Sequence, residues 1–155
     1  MLQRIQTVYL LLIVVLSCIT FYLPTVDLIN IKSALHYIID FKGVYLVQAK
    51  GNVWDSTVWG LTTVSAVIPT IALFTIFQYK NRVKQIRLSV INMLFMLGYY
   101  AVLFINIWLI SNRLNTEWHL RFVTALPLVC MVLNYLAIGA IGKDEALVKS
   151  TDRIR

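Results

Sequence analysis

The feature that this sequence lacks most clearly is charge. Only 14% of its 155 residues are charged and 59% are hydrophobic, whereas soluble proteins carry about 25% charged residues. Four stretches contain no Asp, Glu, Lys, Arg or His at all, namely residues 8–23, 57–77, 88–110 and 122–141. A soluble hydrophobic core does not explain this composition.

The charge-free stretches also lack the groups on which most membrane chemistry depends. Without a carboxylate or a histidine in any of them, proton relays lack their usual residues, and a bis-histidine haem site between helices is excluded. Cys18 and Cys130 do not form a C-x-x-C pair, which disfavours a quinone-linked disulfide-forming enzyme. His36 and His119 lack cysteine or carboxylate neighbours at ligand spacing, so we interpret them as surface residues. The sequence therefore predicts a non-catalytic protein without a cofactor or a metal.

The four stretches have the length of membrane spans. A helix rises about 1.5 Å per residue, so about 20 residues cross a hydrocarbon core roughly 30 Å thick. We predict an all-α membrane protein, an antiparallel bundle of four transmembrane helices forming one domain over residues 1–155. An outer segment, residues 24–56, joins the first two spans, and a tail follows from residue 142. Alternation and β-forming residues in the outer segment predict a short β-ribbon, with an interfacial helix over residues 33–40 as the alternative.

Basic residues predict the orientation of the bundle. Nine of the 14 lie on segments that an even number of spans places on one side: Arg4, Lys80, Arg82, Lys84, Arg87, Lys143, Lys149, Arg153 and Arg155. The positive-inside bias assigns that side, and both termini, to the cytoplasm. All four tryptophans, Trp54, Trp59, Trp108 and Trp118, then fall at the outer face, where indole rings favour the headgroup level.

The third span carries a recurring polar face. Asn92, Tyr99 and Asn106 are seven residues apart, which places them along one side of a helix. Asn134 in the fourth span is a candidate partner, because an unpaired amide is costly in lipid. Hydrogen bonding between helices is one interpretation of this face, and a polar pocket for a headgroup or small ligand is the other.

Two further segments are candidates for binding. The basic connection of Lys80, Arg82, Lys84 and Arg87 predicts contact with anionic lipid headgroups, and this role explains its charge without nucleic acid. In the tail, Leu147 and Ile154 are spaced seven residues apart and form an apolar edge on a predicted helix. We expect a protein partner to dock on that edge.

The two ends of the chain point to a family. Residues 1–12, MLQRIQTVYLLL, and residues 143–155, KDEALVKSTDRIR, resemble an uncharacterised family of small four-helix inner-membrane proteins from Bacteroidota. The resemblance implies a bacterial inner membrane, but it brings no known activity or catalytic residue. Two functions remain open: an accessory or scaffolding subunit of a larger membrane complex, and a lipid-binding or small-molecule-binding membrane protein.

Overall fold

Four helices and five strands make up the part of the chain that the structure describes. The computed structural model covers residues 3–30, 35–48, 51–79 and 81–152, with the backbone alone for residues 3, 4 and 147–152. In chain order the elements are α1 Gln3–Tyr22, β1 Val26–Asn30, β2 Leu35–Ile39, β3 Gly43–Gln48, β4 Gly51–Thr57, α2 Trp59–Phe77, α3 Arg82–Leu114, β5 Glu117–Leu120 and α4 Leu126–Asp152. A 3₁₀ turn over Phe122–Ala125 leads into α4.

All four helices are long and apolar enough to cross a membrane, which agrees with the four predicted stretches. α1 packs against α2 and α4, and α3 packs against the same two helices, so the bundle closes around one core. The longest helix, α3, has 33 residues and extends to about 50 Å at 1.5 Å per residue. It therefore continues past both ends of the predicted span over residues 88–110.

The prediction of an all-α fold is wrong. The chain also forms a five-stranded antiparallel sheet in the order β4-β3-β2-β1-β5. The outer segment supplies four of these strands as a meander, where a short ribbon was expected. The fifth, β5, comes from the connection between α3 and α4 and pairs with β1, from Val26 opposite Leu120 to Ile29 opposite Glu117. A four-residue strand whose partner lies so far along the chain has almost no local signal, since its pairing depends on tertiary contact.

One face of the sheet belongs to the core of the bundle. Val26, Leu28, Ile39 and Val44 are fully or almost fully buried and lie in the same hydrophobic cluster as Leu10 of α1. The sheet thus covers the end of the bundle at which α1 ends and α2 begins. We call this the sheet end. The opposite end, where α2 ends and α3 begins, is called the basic end.

Hydrogen bonds fix the sheet to the helices. The Thr25 carbonyl accepts bonds from the Arg121 N–H, at 3.1 Å, and from the Thr124 hydroxyl, at 2.5 Å. Asn30 donates its side-chain amide to the Leu114 carbonyl at 2.8 Å, and the Thr62 hydroxyl donates to the Phe41 carbonyl. These bonds reach the end of α3, the start of α4 and the first turns of α2, so the sheet has one fixed position on the bundle.

Candidate functional site

The predicted polar face lies inside the bundle, but its members do not line one pocket. Asn92, Tyr99 and Asn134 are buried. The Asn134 amide donates to the Ser89 carbonyl at 2.8 Å and so joins α4 to α3. Asn106 is only half-buried and donates to the Val102 carbonyl of its own helix at 2.8 Å. The structure therefore brings Asn134 next to the turn that carries Asn92 and leaves Asn106 apart.

Asn92 is an unusual residue in this core. It is 1% exposed, yet neither its amide nitrogen nor its oxygen has a hydrogen-bond partner among the described residues. The Ser89 hydroxyl, one turn before Asn92 on α3, also has no hydrogen-bond partner within the described part of the chain, and neither does the side-chain oxygen of Asn134 on α4. A buried polar group left without a partner costs roughly 1–3 kcal/mol. Asn92 is thus expected to weaken the fold, whereas Asn134 contributes one bond.

Valine substitutions at these two positions should separate the two roles. Asn134→Val removes the bond to Ser89 and should lower the free energy of unfolding by about 1 kcal/mol. Asn92→Val removes an unpaired amide and should leave that free energy unchanged or raise it by about 1 kcal/mol. Chemical unfolding of both variants in the same detergent gives the comparison. Both replace Asn with Val inside a helix, so the change in helix propensity is the same in each and cancels. An Asn92→Val protein less stable than Asn134→Val would mean that the Asn92 amide is paired.

Tyr99 borders a small cavity inside the bundle. The cavity has a volume of about 10 Å³ and is bordered by Ser17, Thr20, Ser65 and Tyr99 on its polar side. Such a volume is about the minimum for one water molecule. Pro69, four residues after Ser65, lacks the N–H that would pair with the Ser65 carbonyl, and an ordered water can satisfy a carbonyl freed in this way. The space at Tyr99 is therefore suited to a single water.

The residues of the basic connection differ in their surroundings. Lys84 and Arg87 are exposed, and Lys80 lies outside the described residues. Arg82, the first residue of α3, is instead partly buried and borders a surface groove of about 430 Å³ that runs along α1. The structure therefore distinguishes Arg82 from Lys84 and Arg87, whereas the sequence alone did not.

At the same end, a contact that the sequence did not predict joins α1 to α4. The buried Gln6 amide donates to the Ala140 carbonyl at 3.1 Å and to the Asp144 carboxylate at 2.5 Å. Because the two residues are 138 positions apart, no local pattern could have indicated the pair. Of the predicted docking residues in the tail, Leu147 lies on α4 with its side chain outside the described set, and Ile154 lies outside the described residues.

The outward face of the sheet carries a row of side chains in register across all five strands. From β5 to β4 the row runs His119, Asp27, Ile38, Tyr45 and Trp54. Tyr45 and Trp54 form an edge-to-face pair with ring centroids 5.3 Å apart. We call this row, with Ile29 and Val47 on the same face, the outer sheet face. Its β4 side is apolar and its β1–β5 side is polar.

Asp27 is the centre of the polar side. Its carboxylate accepts two bonds from Arg121, at 2.6 and 2.7 Å, and lies 3.0 Å from the ring Nε2 of His36. Partial burial raises the pKa of the Asp27 carboxyl, but the bonds and charges of Arg121 and His36 outweigh burial and hold that pKa below its ordinary value. Donating these bonds to Asp27 in turn raises the pKa of Arg121. The network ties β1 and β2 to the start of α4.

Within the described ranges, no group of three His, Cys, Asp or Glu side chains is placed to hold a metal ion. Both cysteines are free thiols, Cys18 exposed and Cys130 buried.

Fold and surfaces together define a bundle of four helices of membrane-spanning length, capped at one end by a five-stranded sheet. The chain belongs to the family described as Domain of unknown function (DUF4293), whose profile matches residues 2–154. The expectation of an uncharacterised family is confirmed at that level. A search of curated proteins finds no match.

Proposed function

We propose that this protein is a non-catalytic integral protein of a bacterial inner membrane and serves as an accessory or scaffolding subunit of a larger membrane complex. In this proposal the outer sheet face is the surface that binds the partner. The basic end and both termini face the cytoplasm, and the sheet lies on the opposite side of the membrane.

Membrane placement is supported by the surface of the helices. In each of the four candidate spans less than a third of the residues are buried inside the protein. The exposed remainder is largely apolar and includes Leu11, Phe74, Leu94, Phe104 and Val132. Exposed apolar surface of this extent requires lipid or protein around it.

The observation that carries the docking proposal is the apolar part of the outer sheet face. An antiparallel sheet with one face in the core normally places polar side chains on the other. Here Ile38, Tyr45 and Val47 occupy that other face, and Trp54 beside them is 50% exposed. Tyr and Trp side chains are enriched at protein interfaces, where they bury large area at low entropic cost.

Rigidity of the sheet adds to this argument. Hydrogen bonds between the sheet and the helical part, made at Thr25, Asn30 and Phe41, hold the outer sheet face in one orientation relative to the spans. The Asp27–Arg121 pair adds to them. A surface fixed in this way binds with little ordering cost. The partner expected here is another integral membrane protein, since its own spans would set its outer domain at the same height.

The test is purification in mild detergent followed by mass spectrometry, comparing two variants. The double variant Tyr45→Ser, Trp54→Ser removes the aromatic pair of the outer sheet face. Trp59→Ser removes an exposed indole at the start of α2, outside that face, and is the matched control. We expect one stoichiometric partner that the wild type and the control retain and the double variant loses. Recovery of the wild type with lipid and itself alone would contradict the subunit proposal.

A further inference from the structure

The groove beside Arg82 differs in character from the rest of the helical surface. Its lining includes Val8, Leu11 and Leu12 of α1 and, toward the basic end, Gln6 of the same helix with Arg82 and Gln85 of α3. Its volume of about 430 Å³ lies within the usual range of ligand sites, about 300–1,000 Å³. Gln6 and Gln85 are both more than nine-tenths buried. The groove thus has an apolar wall and a polar head at its basic end.

Among the described residues, the guanidinium of Arg82 has no ion-pair partner, since the ion pairs found there involve Asp27. Its Nη1 atom is covered from solvent and has no hydrogen-bond acceptor among those residues. A guanidinium that is partly desolvated and unpaired is unfavourable, and an anion that accepts two of its hydrogen bonds, as a phosphate or a carboxylate does, relieves this cost best.

We propose that the groove beside Arg82 binds one anionic phospholipid of the surrounding leaflet, with its phosphate on Arg82 and an acyl chain along Val8, Leu11 and Leu12. Three features fit this ligand. The charge requires an anion, the apolar wall requires a hydrocarbon chain, and the groove opens on the surface of the spans rather than into water. Arg82 also begins α3 without a side-chain cap, so the helix dipole adds to the attraction for the phosphate.

This inference rests on the membrane placement proposed above, but not on the docking of a partner. It also differs from general attraction between a basic segment and an anionic surface, to which every exposed cation contributes about equally. If the site is specific, Arg82 must contribute more to lipid affinity than Arg87, which is exposed and lies outside the groove. That difference can be measured on the purified protein alone.

The experiment is native mass spectrometry of the full chain in neutral detergent, titrated with phosphatidylglycerol or phosphatidylcholine. We expect phosphatidylglycerol to bind at least about tenfold more tightly than phosphatidylcholine, because the choline cation of the zwitterionic headgroup offsets the phosphate charge that Arg82 attracts. Arg82→Gln should weaken phosphatidylglycerol binding about tenfold, and Arg87→Gln should weaken it less than twofold. Leu11→Trp, at a position 52% exposed, should obstruct the acyl chain and weaken binding as strongly while keeping the charge. Because that position is exposed, this variant keeps the test valid if Arg82→Gln does not fold.

Several results would overturn the assignment. Equal losses in Arg82→Gln and Arg87→Gln would reduce the effect to surface charge, and equal binding of the two lipids would remove the role of the anion. Full binding by Leu11→Trp would place the lipid elsewhere. Displacement of the lipid by millimolar inorganic phosphate would indicate a site for the free anion instead. If the purification recovers no protein partner, all of these lipid-binding outcomes stay the same. The subunit proposal and the lipid proposal can therefore fail independently of each other.

Discussion

Replacing Gly43 with alanine is expected to destabilise the protein by about 1–3 kcal/mol, the usual range for overpacking. Gly43 begins β3, and a Cβ atom added there would lie 2.3 Å from the backbone oxygen of Ser56 in β4. That oxygen cannot move aside as a flexible side chain can. Gly43 also exchanges two backbone bonds with Asp40 across the turn before β3, at 2.9 and 3.2 Å. Relief of the clash would therefore disturb either the turn or the pairing of β3 with β4.

Gly98→Ala is the matched control for this prediction. Gly98 lies inside α3 with nothing within 4 Å of the added atom, so alanine there should be neutral or should stabilise by up to about 1 kcal/mol. Thermal unfolding of both variants in one detergent measures the difference. Equal stability of the two would mean that β3 and β4 are not paired at Gly43, and the sheet described above would be incorrect at that point.

Asp27→Asn is expected to lower the free energy of unfolding by about 2 kcal/mol, the typical contribution of hydrogen bonds to charged groups. The variant keeps the shape of the side chain but leaves the half-buried Arg121 without its anion. Asp55→Asn is the control, because Asp55 is exposed and its carboxylate accepts a bond from the neighbouring Ser56. The control should change stability by less than about 0.5 kcal/mol.

The stability difference between wild type and Asp27→Asn should depend on pH. The pKa of Asp27 is lowered in the folded protein, so its contribution is complete above the unfolded value of about 3.9. It is lost as the pH falls through the lower folded value. The difference between wild type and Asp27→Asn should therefore be largest near pH 7, begin to shrink below about pH 4 and vanish only below the folded pKa. A constant difference from pH 7 to pH 3 would show that the carboxylate charge is not what stabilises the sheet.

The helices could be predicted from the sequence because the bilayer imposes a strong local rule. A span needs about 20 apolar residues in a row, and each of the four stretches satisfies this without reference to any other part of the chain. The predicted ends of the spans were less accurate. α3 begins at Arg82 and continues to Leu114, since charged residues at both ends remain helical once the apolar middle is formed.

The sheet could be predicted only in part, because strand pairing is not local. Alternation around Val26 and the β-forming run at Val44 indicated strands, but they gave no register. β5 pairs with β1, and Arg121, just after β5, bonds Asp27 from 94 residues away. The same limit applies to the candidate sites. The heptad spacing of Asn92, Tyr99 and Asn106 placed them on one side of α3, but only the packed bundle shows that Asn106 bonds within its own helix and that Arg82 borders a groove.

The most direct test of the account is the accessibility of cysteines in intact cells. In a background with Cys18 and Cys130 replaced by alanine, one cysteine is introduced at Asn52 in β4 or at Asn81 before α3; both positions are exposed. A membrane-impermeant thiol reagent should label the cysteine at Asn52, and it should label the one at Asn81 only after the cells are opened. Labelling at Asn81 but not at Asn52 in intact cells would invert the orientation, and labelling at both would contradict the four-span arrangement itself.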